Sequence, residues 1–124
     1  LLESDAVGAI DYAENSIKTF ETARAWGFKG NAYKMNKEYD QALSCVNRAI
    51  ALNDPDRRRR AVYYWNRACY KSLLNEKIHS IVSDLKKSIE LDQGLAGGLL
   101  EEEDLINARL QDTFFTELNV RKPE

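Results

Sequence analysis

Apolar and small residues recur every three or four positions along most of the chain. This spacing is typical of a helix with one buried face. It predicts helices over residues 23–34, 38–52, about 54–74 and 77–91, separated by short polar turns. The clearest run of apolar and small positions comprises Tyr39, Ala42, Leu43, Val46, Ala49 and Ile50.

The predicted helices form two units of one repeat. A shift of 39 residues places Trp26 on Trp65 and Ile50 on Ile89, so residues 23–52 form repeat one and residues 54–91 repeat two. Asp54 and Pro55 are residues that favour the start of a helix. The extra length of repeat two falls at residues 56–60, where we expect a longer first helix.

The first unit resembles the tetratricopeptide repeat. The residues that carry the resemblance are Trp26, Gly30, Tyr33, Ala42, Val46, Ala49 and Pro55. The resemblance implies an all-α fold, in which antiparallel helix-turn-helix repeats stack as a short right-handed α-solenoid. Residues 5–20 match the second helix of a repeat that would precede repeat one, whose partner helix is absent.

The pattern changes after Leu91. Residues 93–98 are rich in glycine and predict a flexible break. Residues 99–118 resemble the capping helices that follow bacterial tetratricopeptide arrays, and an end cap is expected because the last repeat would otherwise expose an apolar face. Residues 1–124 are therefore predicted to be a single domain, excised from a longer chain since it begins with Leu1.

Composition narrows the class of protein. Apolar residues make up 44% of the chain and charged residues 31%, which favours a folded core over disorder. The net charge of -2 gives no general attraction to nucleic acid or to anionic lipid. No segment reaches the roughly 20 apolar residues of a membrane span. Two cysteines, Cys45 and Cys69, suit a reducing compartment, so we expect a cytoplasmic protein.

Residues typical of catalysis or of metal binding do not assemble into a recognisable motif. His79 is the one histidine, in the polar phase of its helix, and we expect it at the surface. Cys45 and Cys69 fall at helix-packing positions, where cysteine acts as a small apolar residue. The acidic run at residues 101–104 is interpreted as the start of a helix, where negative charge is favourable. We predict no enzyme activity, no metal and no cofactor.

Four consecutive arginines, Arg57 to Arg60, suggest binding of nucleic acid or phosphate. Consecutive helical residues point in four directions, however, and form a collar instead of one basic stripe. We expect Arg57 to pair with Asp54 or Asp56 and Arg60 to reach over Tyr64. Nucleic-acid binding through this run is therefore the weakest functional hypothesis.

The resemblance implies a concave groove lined by the first helix of each repeat. The residues expected to contact a peptide or partner protein are Arg24, Asn31, Lys34, Tyr63, Asn66, Arg67 and Tyr70. Amide side chains can donate and accept along a peptide backbone, and tyrosines supply flat apolar area. Gly27 stands where family members that clamp carboxylates carry lysine.

Two function classes follow. The first is a protein–protein interaction module that binds a peptide or partner domain in the groove. The alternative is a structural or regulatory arm of a larger bacterial multidomain protein, whose remaining chain fills the groove. In either class the uncapped helix at residues 5–20 predicts a homo-dimer through its bare face.

Overall fold

The computed structural model describes residues 3–124, with side chains from Asp5 onward. Leu1 and Leu2, which belong to the predicted domain, lie outside the described residues. The helices are α1 Glu3–Thr19, α2 Ala23–Met35, α3 Tyr39–Ala51, α4 Arg57–Leu73, α5 Ile78–Leu91, α6 Ile106–Arg109 and α7 Asp112–Leu118, with 3-10 helices at Gln93–Gly98 and Glu103–Leu105. No strand occurs between residues 3 and 124, which confirms the all-α prediction.

Successive helices pack against one another in chain order, α1 on α2, α2 on α3, α3 on α4 and α4 on α5. Alanines stand where the helices approach most closely, and Ala42, Ala49, Ala61 and Ala68 are completely buried. Gly30 is equally constrained, because a methyl group there would lie 3.2 Å from the carbonyl oxygen of Ala42. Small residues at these contacts let neighbouring helices stack as a tetratricopeptide-like solenoid.

Left-handed residues end four of the helices. Lys37, Asn53, Asn75 and Asn119 have positive φ angles between 51° and 59°. Asparagine tolerates this conformation, whereas lysine is strained in it. After α2, the backbone N–H groups of Lys37 and Glu38 close the helix by donating to the carbonyls of Lys34 and Tyr33.

The first helix of repeat two is longer than that of repeat one, as predicted. Helix α4 has 17 residues against 13 for α2, and its added turn is the arginine run. The side chain of Asp56 begins the helix by accepting a hydrogen bond from the backbone N–H of Arg59 at 3.1 Å. This cap compensates for cations in the first turn, where the helix dipole disfavours them.

The C-terminal segment covers the exposed end of repeat two. Residues 93–98 form a 3-10 helix, with the Asp92 side chain accepting from the N–H of Gly94, so the predicted flexible break is wrong. Leu99, Leu105 and Phe114 are buried in the core shared with α4 and α5. Within residues 3–124, no helix has both the length and the apolarity needed to cross a membrane.

Candidate functional site

An open groove of about 750 Å³ lies between α1, α2 and α4. Helix α2 contributes one face of the groove, α4 the other, and the middle of α1 forms its edge. Four residues expected from the sequence line it, namely Arg24, Asn31, Tyr63 and Asn66. The same groove also contains Tyr12, Phe28, Val62 and Arg59, which the sequence analysis did not assign to it.

Three exposed side chains form the apolar surface of the groove. The side chains of Tyr12, Phe28 and Val62 are 69%, 49% and 43% exposed. The rings of Tyr12 and Phe28 meet edge to face with centroids 6.1 Å apart, an arrangement that aromatic pairs favour. Phe28 lies one helical turn from both Arg24 and Asn31, so the helical spacing in the sequence contained a signal for it.

Polar groups flank this apolar surface. Asn31 and Arg24 are exposed on α2, and Asn66 is half-buried on α4. Among the described residues neither amide nor the Arg24 guanidinium has a side-chain hydrogen-bond partner, so each is available to a ligand. The groove can therefore contact both an apolar side chain and the backbone of a bound segment.

Tyr63 lies deeper than expected. It is 6% exposed, and its ring fills the space beside Gly27, where a methyl group would lie 2.9 Å from Cε1 of Tyr63. Its hydroxyl donates to Oδ2 of Asp54 at 3.0 Å. Burial and the adjacent Asp54 charge raise the pKa of Tyr63. The expectation of an exposed Tyr63 is wrong, and the residue instead forms the floor of the groove.

Asp54 organises the loop below this floor. It is 5% exposed and accepts hydrogen bonds from Nε and Nη2 of Arg59 at 2.8 and 3.1 Å. The backbone N–H of Asp56 donates to the same carboxylate. The Arg59 hydrogen bond, helped by those from Asp56 and Tyr63, lowers the pKa of Asp54 to about 2 against the opposing effect of burial.

The C-terminal segment contacts α2 one helical turn beyond the groove residue Asn31. Nζ of Lys34 lies 3.0 Å from Oδ2 of Asp104, and the indole N–H of Trp65 donates to Glu102 at 3.3 Å. Tyr70, behind this segment, is 2% exposed, and burial raises the pKa of its hydroxyl. Tyr70 is therefore not an exposed groove residue as expected, and Lys34 is already paired.

Arg67 forms hydrogen bonds within repeat two. Its Nε and Nη2 donate to the two carboxylate oxygens of Asp84 at 3.0 and 2.7 Å, and its guanidinium lies over the ring of Tyr64. Nζ of Lys71 also lies 2.8 Å from Asp84. These contacts join α4 to α5, so Arg67 does not line the groove.

The arginine run is fixed by contacts inside the chain. Nε and Nη2 of Arg57 donate to the carbonyls of Leu91 and Glu90 at the end of α5. The expected pairing of Arg57 with Asp54 or Asp56 is wrong, since Arg59 makes both of those pairs.

Arg60 also differs from its expectation. It donates to the carbonyls of Asp54 and Pro55, and the guanidinium that lies over the ring of Tyr64 is that of Arg67. Arg58 is exposed.

The side chains that could bind a metal ion already make contacts within the chain. Within the described residues, one cluster has the ligand types of a metal site, formed by Cys69, Glu102 and Asp104 with ligand atoms within 4.8 Å of one another. Trp65 and Lys34 already donate to its two carboxylates. Burial raises the pKa of the Cys69 thiol, which disfavours the thiolate that binds metals.

His79 lies apart from this cluster. Its imidazole is 74% exposed, and Nδ1 lies 2.7 Å from Oε1 of Glu117. This contact joins the start of α5 to α7. His79 thus has the surface location that the sequence predicted.

Comparison with known proteins gives one match. Residues 23–54 match the family model described as tetratricopeptide repeat. The matched stretch contains α2, α3 and the loop that follows them. No curated protein matches the chain, and no solved structure matches it.

Proposed function

We propose that this chain, a protein containing a tetratricopeptide repeat at residues 23–54, holds a peptide segment of a partner protein in the groove between α1, α2 and α4. Tetratricopeptide repeats are non-catalytic scaffolds for protein–protein interaction. The proposal adds a place and a type of ligand to that general role. An extended segment would place an apolar side chain on Phe28 and its backbone beside Asn31 and Asn66.

The observation that carries the proposal is the exposed apolar strip of Tyr12, Phe28 and Val62 inside a concave surface. A concave surface that combines apolar area with a few polar groups is typical of ligand sites. Exposed apolar side chains that cluster also mark interaction surfaces more often than isolated ones do. Arg24 would add attraction for an acidic group at the rim.

Selection of peptides from a random phage-displayed library tests the proposal directly. A selected peptide is labelled and titrated by fluorescence anisotropy against the wild type and against Val62→Asp. We expect at least about a 10-fold loss of affinity in the variant, because burial of one valine contributes about 1.5 kcal/mol. The double variant Asn31→Ala with Asn66→Ala should also weaken binding.

Ile106→Asp is the matched control, since Ile106 is 53% exposed in the cap, away from the groove. It introduces the same charge at a similar exposure. If selected peptides bind Val62→Asp as tightly as the wild type, the groove is not the binding surface. An equal loss in Ile106→Asp would point to general charge repulsion and lead to the same conclusion.

The alternative of a structural or regulatory arm also has support. Glu102 and Asp104 of the C-terminal segment already contact α4 and α2, so further chain of a larger protein could occupy the groove beside them. A longer version of the protein that no longer binds the selected peptides would favour this alternative.

The helix α1 also supports a proposal of self-association. Val7, which is 47% exposed, lies on this helix, and Phe20, which is 75% exposed, directly follows it. Sedimentation equilibrium at high protein concentration tests it, and a monomer at every concentration would refute it.

A cytoplasmic location stays a prediction, supported by the free thiols of Cys45 and Cys69.

A further inference from the structure

A second, smaller cleft lies where α3, α4 and α5 meet at the arginine run. It has a volume of about 220 Å³, which is several times the roughly 30 Å³ that a water molecule takes in the liquid. Ile50 and Leu91 contribute apolar surface. The polar and charged groups that line it are Asn53, Arg60, Tyr63, Tyr64 and Lys87. Tyr63 also lines the proposed peptide groove, whereas the other four do not.

The charge of this cleft is positive. Within the described chain no carboxylate lines it. Glu90 lies three residues after Lys87, and its carboxylate is 3.6 Å from Nζ of Lys87. The Glu90 side chain is 67% exposed, so solvent weakens this ion pair. Asp54 is held by Arg59 and Tyr63.

Arg60 retains most of its hydrogen-bonding capacity. One nitrogen, Nη1, donates to the carbonyl of Asp54 at 2.8 Å and to that of Pro55 at 3.3 Å. These bonds fix the guanidinium at the cleft. Its other N–H groups have no acceptor in the described chain, and a guanidinium fork matches an oxyanion well.

Arg57 removes a source of repulsion beside the cleft. The C-terminal end of α5 carries partial negative charge on its last carbonyls. Arg57 neutralises it by donating to the carbonyls of Leu91 and Glu90 at 3.0 and 2.9 Å. An anion next to Leu91 therefore meets a compensated helix end.

We propose that this cleft binds a phosphate-type oxyanion. Arg60 and Lys87 supply the charge, and the Asn53 amide and the Tyr64 hydroxyl donate further hydrogen bonds. The same chemistry fits inorganic phosphate and a phosphorylated side chain of a partner protein. The inference does not depend on the proposed peptide binding, and it gives a ligand to Arg60, which does not line the groove.

Titration of ¹⁵N-labelled protein with sodium phosphate tests the site at constant ionic strength, with sodium chloride as the balancing salt. We expect saturable amide shifts at residues 53, 60, 64 and 87, with millimolar affinity. Lys87→Gln should weaken binding about 5-fold, as expected for the loss of one partly exposed charge contact. Its side chain is 45% exposed, so the fold should tolerate the change.

Lys86→Gln is the matched control, because it removes the same charge from the adjacent exposed position, outside the lining of the cleft. We expect less than about a 2-fold effect there. Equal losses in both variants would overturn the proposal, as would shifts that grow linearly and spread over all basic residues.

A second titration uses a short phosphoserine peptide and its unphosphorylated form. Tighter binding of the phosphopeptide than of inorganic phosphate, with the same dependence on Lys87, would support a phosphorylated partner as the source. Weaker binding with that dependence would support the free anion. A single-stranded oligonucleotide that binds more tightly than either, and depends on Arg58 instead of Lys87, would overturn the proposal in favour of a nucleic-acid surface.

Discussion

Replacement of Asp54 by asparagine should destabilise the fold and change its dependence on pH. The carboxylate accepts from Arg59, Tyr63 and the backbone of Asp56, and these contacts hold the floor of the groove to the loop before α4. Asparagine keeps the shape of the side chain but removes its charge. It can therefore replace only part of this hydrogen-bonding set.

The magnitude follows from the pKa of Asp54, which falls from 3.8 to about 2. At about 1.36 kcal/mol per pKa unit this lowering is equivalent to about 2 kcal/mol of folding stability. The Arg59 side chain is 40% exposed, so solvent screening reduces the electrostatic part to about 1 kcal/mol. One hydrogen bond that asparagine cannot make adds about 1 kcal/mol. We expect a total loss of about 2 kcal/mol at pH 7.

The sign of the pH dependence is fixed by the lowered pKa. The folded protein holds the Asp54 proton less tightly than the unfolded chain, so the ionised group stabilises the fold fully above pH 4. This contribution is lost as the pH falls through the folded-state pKa of about 2. The stability difference between wild type and Asp54→Asn should therefore shrink between pH 4 and pH 2.

Urea unfolding monitored by the fluorescence of Trp26 and Trp65 measures the effect. Asp11→Asn on the exposed side of α1 is the control, and it should change the free energy of unfolding by less than about 0.5 kcal/mol. The reasoning is refuted if Asp54→Asn also stays within that limit at pH 7. It is equally refuted if the difference persists unchanged at pH 2.

Four further changes probe other parts of the structure. Lys37→Gly should raise the free energy of unfolding by about 0.5–1 kcal/mol, since glycine adopts a positive φ without strain, and a lower value in urea unfolding would contradict this. Arg57→Gln should lower it by about 1 kcal/mol, whereas Arg58→Gln should have little effect, and equal values would refute the role of Arg57 at the end of α5. Phe114→Ala should cost about 3–5 kcal/mol in the same assay because the ring is completely buried, and a loss below about 1 kcal/mol would argue against docking of the cap. The Cys69 thiol, whose pKa is raised by burial, should react with a disulfide reagent at pH 8 only as fast as the protein opens, and immediate reaction would contradict its burial.

The helices were predictable because each buries one face. The predicted helix at 23–34 is observed at Ala23–Met35, and that at 38–52 at Tyr39–Ala51. The long first helix of repeat two was predictable from the extra residues in the alignment of the two units. In each case the spacing of apolar residues by three or four positions shows which face of that helix is buried. This pattern can be read within one helix, without knowing which distant part of the chain packs against it.

Contacts between distant parts of the chain were not predictable. Helical phase placed Tyr70 on the groove face, but it is buried in the core cluster that also contains Leu99 and Leu105 of the C-terminal segment. Local charge pairing suggested an aspartate partner for Arg57, whereas its acceptors are carbonyls 33 and 34 residues away. Such outcomes depend on how the helices stack, and the spacing of residues within one helix does not encode it.

The contact between Gly27 and Tyr63 makes two kinds of groove chemistry mutually exclusive. A side chain at position 27 would collide with the ring, since even its Cβ would lie 2.9 Å from Cε1 of Tyr63. A lysine that clamps a carboxylate from this position therefore requires a smaller residue at position 63. Positions 27 and 63 should therefore change together. A change of specificity from apolar to carboxylate ligands requires substitution of both residues, because neither substitution is tolerated without the other.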